Sequence, residues 1–169
     1  MAILNIVKFP DPSLRVKAKQ VTKFDAAFQD LVQNMFETLR DAPGVGLAGP
    51  QVGESLRVVV VEYNEDDNEN AKPKQYVLVN PEIIETSAET VTDLEGCLSV
   101  PGLAGEVKRF EAVTVRAQNK FGKKIKVRVD GWLARIFQHE IDHLNGILYI
   151  DKAEKVFQPS EAEAEDFLD

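Results

Sequence analysis

The sequence predicts an α+β fold: mostly antiparallel sheets wrapped around a buried central helix, with an amphipathic helix near the N-terminus. Three observations predict it. Short runs that alternate apolar and polar residues, or are dense in valine, recur between positions 56 and 129 and read as strands. Phe28, Leu31, Val32, Met35, Phe36 and Leu39 recur with helical spacing. Residues 131–145 are apolar over more than half of a helical circumference, as in a helix largely enclosed by protein.

In chain order, residues 3–7 suit a short strand. Pro10-Asp11-Pro12-Ser13 forms a turn, because each proline holds the residue before it in extended geometry. Residues 14–21 read as irregular. A helix over 25–41 takes its N-cap from 22–25 and ends at Ala42-Pro43-Gly44. The glycine-rich stretch 44–53 reads as a loop whose backbone can approach a ligand closely. It is no phosphate-binding loop: it follows a helix and lacks the Lys-Ser/Thr ending.

A strand over 56–63 leads into a polar, acidic surface loop over 64–74. A strand over 76–79 is expected to stop at Asn80-Pro81. A bent strand follows over 83–92, and then a Gly-flanked turn within 94–102. Residues 106–117 and 123–129 alternate about Asn119-Lys120-Phe121-Gly122, a hairpin signal. The central helix has Asp130 at its start and Gly146 past its end, with Arg135, Gln138, Asp142 and Asn145 on one narrow polar stripe. The tail 154–169 is acidic and is expected as a short helix or a frayed, solvated end.

The 169 residues are expected to form a single catalytic domain, 1–169, with 154–169 as its tail. A net charge of −8 argues against a general nucleic-acid-binding surface, which needs clustered Lys and Arg. The basic run 120–126 alternates with apolar residues and reads as a solvated strand face. A single cysteine, Cys97, allows no internal disulfide. Neither a signal peptide nor a membrane span is legible, so the cytoplasm is the expected compartment.

Gln138-His139-Glu140-Ile141-Asp142-His143 holds both histidines of the chain. On a helix, positions i and i+4 lie about 40° apart in azimuth and about 6 Å apart along the axis, so both imidazoles can face one ion. Glu140 stands beside them, within reach of a water on that ion. His-Glu-x-x-His therefore reads as a metal plus a general base. Buried ionisable groups need partners, and a metal would serve the two histidines.

A catalytic site of this kind takes three protein ligands, and no third histidine exists. A carboxylate or Cys97 remains. Cys97 also has plain readings, as a buried core thiol or a nucleophile. A Cys97, His139, His143 set joins all the unusual residues and is the preferred reading. A generic His-Glu-x-x-His metallopeptidase and a non-catalytic binding module with a structural metal stand as alternatives.

Three blocks then carry a resemblance: Gly44-x-Gly46-Leu47-Ala48-x-x-Gln51, Glu95-Gly96-Cys97-Leu98-Ser99, and Gln138-His139-Glu140-x-Asp142-His143-Leu144. In order and spacing they resemble the signature motifs of the peptide deformylases, and the Pro10-Asp11-Pro12-x-Leu14-Arg15 opening is similar too. Gly49 departs from the pattern, alanine being more usual there, and is expected to loosen the loop.

The resemblance implies that Cys97, His139 and His143 bind a divalent metal, Fe²⁺ in the cell, with Zn²⁺, Ni²⁺ or Co²⁺ as substitutes. It implies removal of the N-formyl group from the initiator methionine of nascent polypeptides, with release of formate. Hydroxide on the metal attacks the formyl carbon, and Glu140 takes the proton and returns it to the leaving amine. The Gln51 amide and the Leu98 backbone N–H stabilise the oxyanion. Gly46 pairs with the substrate backbone as an added strand, with Gly96 also on the substrate side.

Trp132 and Ile136, on the histidine face of the helix, are expected to line a methionine pocket with Val45. Glu95 is expected to pair with a basic group such as Arg109. The partner is the formyl-Met terminus of nascent chains, with no membrane and no sequence-specific nucleic acid. Transient ribosome association is also expected. The acidic Ser160-Glu161-Ala162-Glu163-Ala164-Glu165-Asp166 sets in question the basic C-terminal helix through which some bacterial relatives dock.

Overall fold

A computed structural model describes residues 2–64 and 72–159. Among these residues, eight strands and three α-helices follow in the order α1 (Ala26–Asp41), β1 (Gly46–Ala48), β2 (Val58–Tyr63), β3 (Lys74–Thr86), β4 (Thr90–Cys97), β5 (Val100–Phe110), β6 (Ala112–Gln118), β7 (Lys124–Asp130), α2 (Gly131–Leu144), α3 (Tyr149–Lys152) and β8 (Lys155–Phe157). The strands form two antiparallel sheets, one in the order β1-β2-β3-β6-β7 and one in the order β4-β5-β8.

The valine run of β2 is apolar at every position because both faces of its sheet are covered. Val59 and Val61 join Ala134, Phe137 and Ile141 of α2 in one cluster, while Val58 and Val60 join Val32, Met35 and Leu39 of α1 in another. Burying a side chain of this size stabilises by roughly 1.5–3 kcal/mol, so this double-sided burial carries much of the core. Asp25 caps α1 by accepting from the Phe28 N–H at 3.0 Å. Asp130 occupies the N-cap of α2, but its side chain makes no capping bond.

Several expectations are corrected. Residues 3–7 form no strand. The chain there runs beside the core, and the Val7 N–H donates to the Gln51 carbonyl at 2.7 Å. Pro12–Arg15, expected as turn and irregular chain, is a 3-10 turn with Asp11 capping the Ser13 N–H. The glycine-rich stretch is ordered as strand β1 and a 3-10 turn, Gly49–Val52, rather than a plain loop.

Gly49 does not loosen this segment. A Cβ there would lie 2.5 Å from the Leu56 carbonyl oxygen and 2.7 Å from that of Glu54, so its hydrogen permits a close backbone approach. β3 does not stop at Asn80-Pro81. It passes through with register shifts, and Asn80 takes a positive φ of 51° while its side chain bonds Val21 and Gln118.

The strand expected over 83–92 is divided at Ser87-Ala88-Glu89 between the two sheets, and that over 106–117 is divided at Glu111. The tail opens with β8, which pairs with Ala104–Glu106 of β5 instead of fraying. Most of the loop expected over 64–74, and the tail beyond residue 159, lie outside the described residues. No described helix is long and apolar enough to cross a membrane.

α2 lies between the sheets. Its apolar side faces the five-stranded sheet, and Arg135, Gln138 and Asp142 of the polar stripe face the other sheet. Arg135 and Gln138 are both buried. Gln138 clamps Phe110 by accepting from its N–H and donating to its carbonyl, at 3.0 and 2.9 Å. Arg135 donates to Glu95 and to the carbonyls of Val107 and Val91. Burial is tolerated because these polar groups are bonded.

Candidate active site

Cys97 ends β4, and the Leu98-Ser99 turn carries the chain into β5, with Cys97 opposite Val100. α2 brings His139 and His143 to the same place. One ligand atom from each of the three residues lies within 4.8 Å of the others, and all three residues are buried. Cys97 Sγ is 3.3 Å from His143 Nε2. In a tetrahedral site with bonds of about 2.3 Å to sulfur and 2.0 Å to nitrogen, ligand atoms sit roughly 3.5 Å apart, so the spacing fits a metal ion. One thiolate and two imidazoles suit a borderline-soft divalent cation. Among the described residues, no other such group of His, Cys, Asp and Glu gathers.

Burial, then the neighbouring His139, pushes the His143 imidazole well below its ordinary pKa, which keeps it neutral and able to coordinate. His139 Nδ1 meets Glu95 Oε1 at 2.9 Å. Glu95 also accepts from Arg109 Nε and Nη2, both at 2.9 Å, and from Arg135 Nη1 at 2.6 Å. Burial by itself would raise the Glu95 carboxyl. The Arg109 bonds and then His139 overcome it and hold the group ionised, well below the usual carboxylate range. Arg109 Nη1 reaches Asp142 Oδ2 at 2.6 Å, and Lys152 joins Asp142 at 3.0 Å. The expected Glu95–Arg109 pair is thus part of a larger buried network.

Glu140 is fully buried and lies against β1: a Cβ on Gly46 would come 2.6 Å from its Oε2. The missing side chain at Gly46 is therefore the space in which this carboxylate sits. Gln51 Oε1 accepts from the Ala48 N–H at 2.9 Å, which turns its Nε2 toward Ser99 Oγ, 3.1 Å away, and Cys97 Sγ, 3.6 Å away. Leu98 and Gly96 flank Cys97 in the same buried turn. β1 is an edge strand, paired on one side with β2.

The pocket residues are spread more widely. Ile136 is only 2% exposed, within the core cluster, and Val45 and Trp132 pack half-buried against that cluster. Trp132 also lines a shallow cavity of about 220 Å³ with Val91, Asp93, Phe110, Glu111 and Arg135. A larger cleft of about 350 Å³, beside Val21, Phe28 and Leu56, shares no residue with the ligand cluster.

Three contacts went unread in the sequence. Tyr149 stacks on His139 with ring centroids 5.9 Å apart, Ser99 receives the Gln51 amide, and Lys8 Nζ donates to the Leu98 carbonyl at 3.1 Å. Only Ser99 carried a sequence signal, as a member of the Glu95-to-Ser99 block.

Two antiparallel sheets enclosing a His-Glu-x-x-His helix, with a cysteine beside its two histidines in a group that could hold a metal ion, have the architecture of a hydrolase with a thiolate–bis-imidazole site. Residues 3–158 match the family model of polypeptide deformylase, and the chain belongs to that family. A peptide deformylase of Symbiobacterium thermophilum is 51% identical over 161 residues, spanning 95% of this chain and 71% of that protein. One of Halothermothrix orenii is 50% identical over 156 residues, spanning 92% and 97%. The crystal structure of a peptide deformylase from Legionella pneumophila superposes with a TM-score of 0.81 at 42% identity, covering 97% of this chain and 90% of that one.

Proposed function

We propose that the protein removes the N-formyl group from the formyl-methionine terminus of nascent polypeptides and releases formate. The observation that carries this reading is the convergence of Cys97, His139 and His143 on one buried point of the helix that bears Glu140. A divalent metal held by these three residues supplies Lewis-acid polarisation and a nucleophile available at neutral pH. Fe²⁺ is the ion proposed for the cell, with Zn²⁺, Ni²⁺ and Co²⁺ as substitutes.

The chain's own residues do the rest. The Glu140 carboxylate accepts the proton of the attacking water and delivers it to the departing amine. Gln51 Nε2 and the Leu98 N–H donate to the oxyanion that forms at the formyl carbon. The bonds that hold Gln51 in place mean that little reorganisation is needed. The open side of β1, at Val45 and Gly46, takes the substrate backbone as an added strand, with Gly96 facing it. Trp132, Val45 and Ile136 provide apolar surface for the methionine side chain.

In this reading the whole chain is one catalytic unit working in the cytoplasm. It meets its substrates in transient association with ribosomes. The test is formate release from formyl-Met-Ala-Ser by protein loaded anaerobically with Fe²⁺, beside a Glu140→Gln variant. Release by the parent and its loss from the variant with metal retained is the expected result. A loaded parent that frees no formate overturns the reading.

A further inference from the structure

β7 is the edge of the five-stranded sheet farthest from β1, and its outward face is cationic from Lys124 to Arg128 before it ends at the exposed Asp130. Lys124, Lys126 and Arg128 alternate outward along it, while Ile125, Val127 and Val129 turn toward α2. On β6, Arg116 lies directly opposite Lys126 on the same face. The row continues off the strand onto the hairpin tip with Lys120 and Lys123. All six side chains are exposed, and no Asp or Glu lies between Arg116 and Arg128 in sequence. Arg116 is neutralised by Glu82 at 3.0 Å. Among the described residues the other five cations form no ion pair.

An isolated lysine on an edge strand needs no explanation beyond discouraging edge-to-edge pairing. This row does more than that requirement: it runs past the strand end and finishes on Phe121, whose ring is 69% exposed with Lys120 Nζ 5.3 Å from its centroid. A line of cations beside a bare aromatic ring is the combination that holds single-stranded nucleic acid, through phosphate contacts and base stacking. The chain as a whole carries a net charge of −8, so a polyanion is drawn to local rows of cations such as this one rather than to the surface at large.

We propose that the β7 face and the Lys120–Lys123 hairpin tip form a docking surface for RNA that reads backbone charge rather than sequence. Resting on the deformylase reading, that RNA is the ribosome surface near which substrates emerge. Docking by β7 leaves the β1 edge, about 19 Å away across four strand spacings, open to receive a chain.

The test is fluorescence anisotropy with a labelled oligo(U), and co-sedimentation with large ribosomal subunits, over a salt series. Binding is expected, with a log–log salt slope of about −3 for four to five phosphate contacts. A Lys124→Glu/Lys126→Glu/Arg128→Glu variant is expected to weaken it about tenfold or more and to flatten that slope. A Lys120→Glu/Lys123→Glu variant, confined to the exposed tip, does the same should the strand variant fail to fold. Phe121→Ala weakens binding and leaves the slope unchanged.

Formate release from formyl-Met-Ala-Ser stays at the parental rate in all three. RNA binding lost in the charge variants supports the surface even where no formate is released, so the two readings fail separately. A parent that ignores oligo(U) and subunits, equal binding by parent and charge variants, or retention by anionic phospholipid vesicles but not by RNA overturns the proposal.

Discussion

His139 Nδ1 and Glu95 Oε1 are 2.9 Å apart, and the bond between them sets the state of the imidazole. An ionised carboxylate only accepts, so Nδ1 carries the proton and Nε2 keeps the lone pair that a ligand needs. Glu95 in turn is gripped by Arg109 and Arg135, so the orientation of His139 is referred back to both β5 and α2. Replacing it by glutamine keeps the shape but leaves two buried guanidiniums facing a neutral amide. Glu95→Gln is expected to weaken metal retention about 10- to 100-fold in chelator competition. It should also cost about 3–5 kcal/mol in denaturant unfolding. Parental metal affinity in this variant would show that the bond does not orient the ligand.

Gly46 and Glu140 share one volume, so adding a methyl group to the first must move the second. Gly46→Ala is expected to lower kcat about 100-fold, the scale of a displacement near 1 Å at a reacting group. Metal content is expected to stay parental, because Cys97, His139 and His143 are untouched. Parallel loss of metal and activity would mean that β1 supports the ligands rather than Glu140.

Val7, Lys8 and Phe9 each hold one of the turns that carry Gln51 and Leu98: the Val7 N–H binds the Gln51 carbonyl, Lys8 Nζ the Leu98 carbonyl and the Phe9 N–H the Ser99 carbonyl. Lys8→Met removes the charged tie and keeps much of the aliphatic stem. A hydrogen bond from a charged donor contributes roughly 1.5–3 kcal/mol, and this half-exposed one sits at the lower end, so a drop in kcat of about tenfold is expected. Lys8→Arg should recover part of it. An unchanged kcat for Lys8→Met would free this segment from any part in placing Leu98.

Arg40, in the last turn of α1, binds Glu62 of β2 at 2.9 Å, and the Glu62 N–H holds the Val45 carbonyl. The Arg40 bond depresses the Glu62 carboxyl below its ordinary 4.5 against the opposing effect of burial. A depressed folded value means that stability from this pair is complete above pH 4.5 and is lost as pH falls from there through the folded value. Arg40 is about half exposed, so the effect is screened and stays below about 1 kcal/mol. Urea unfolding of parent and Glu62→Gln should differ slightly at neutral pH and converge in acid. A gap that persisted in acid would sink this assignment.

The parts that were legible in the sequence carry strong local signals. α1 and α2 have dense helical periodicity, and the β6–β7 hairpin turns on Asn119 and Gly122. Cys97, His139 and His143 stood out because their residue types are scarce, and the fold brings them together. What escaped was set by tertiary partners. Arg135 and Gln138 stand in sequence only as part of a polar stripe, and their partners, Glu95 and the Phe110 backbone, come from a second sheet. Asn80-Pro81 looks like a stop until Val21 and Gln118 hold the Asn80 amide in place. Gly46–Ala48 looks like loop because glycine disfavours strands, yet pairing with β2 orders it. The Val7-to-Phe9 contacts have no local signal, since their partners lie in distant turns.

The spread of the ligands along the chain has a consequence for how the protein is made. Cys97 and His143 are 46 positions apart, and β8 joins β5 only from residue 155 onward. During translation the β4–β5 hairpin is therefore finished well before the helix that covers Glu95 and Arg109 exists. Its charged residues and its thiol wait in water, and closure comes with the last, longest-range contacts. The group of Cys97, His139 and His143 is thus assembled only after α2 has been made. A catalyst that trims the leading ends of new chains comes into service only once the trailing part of its own chain has been made.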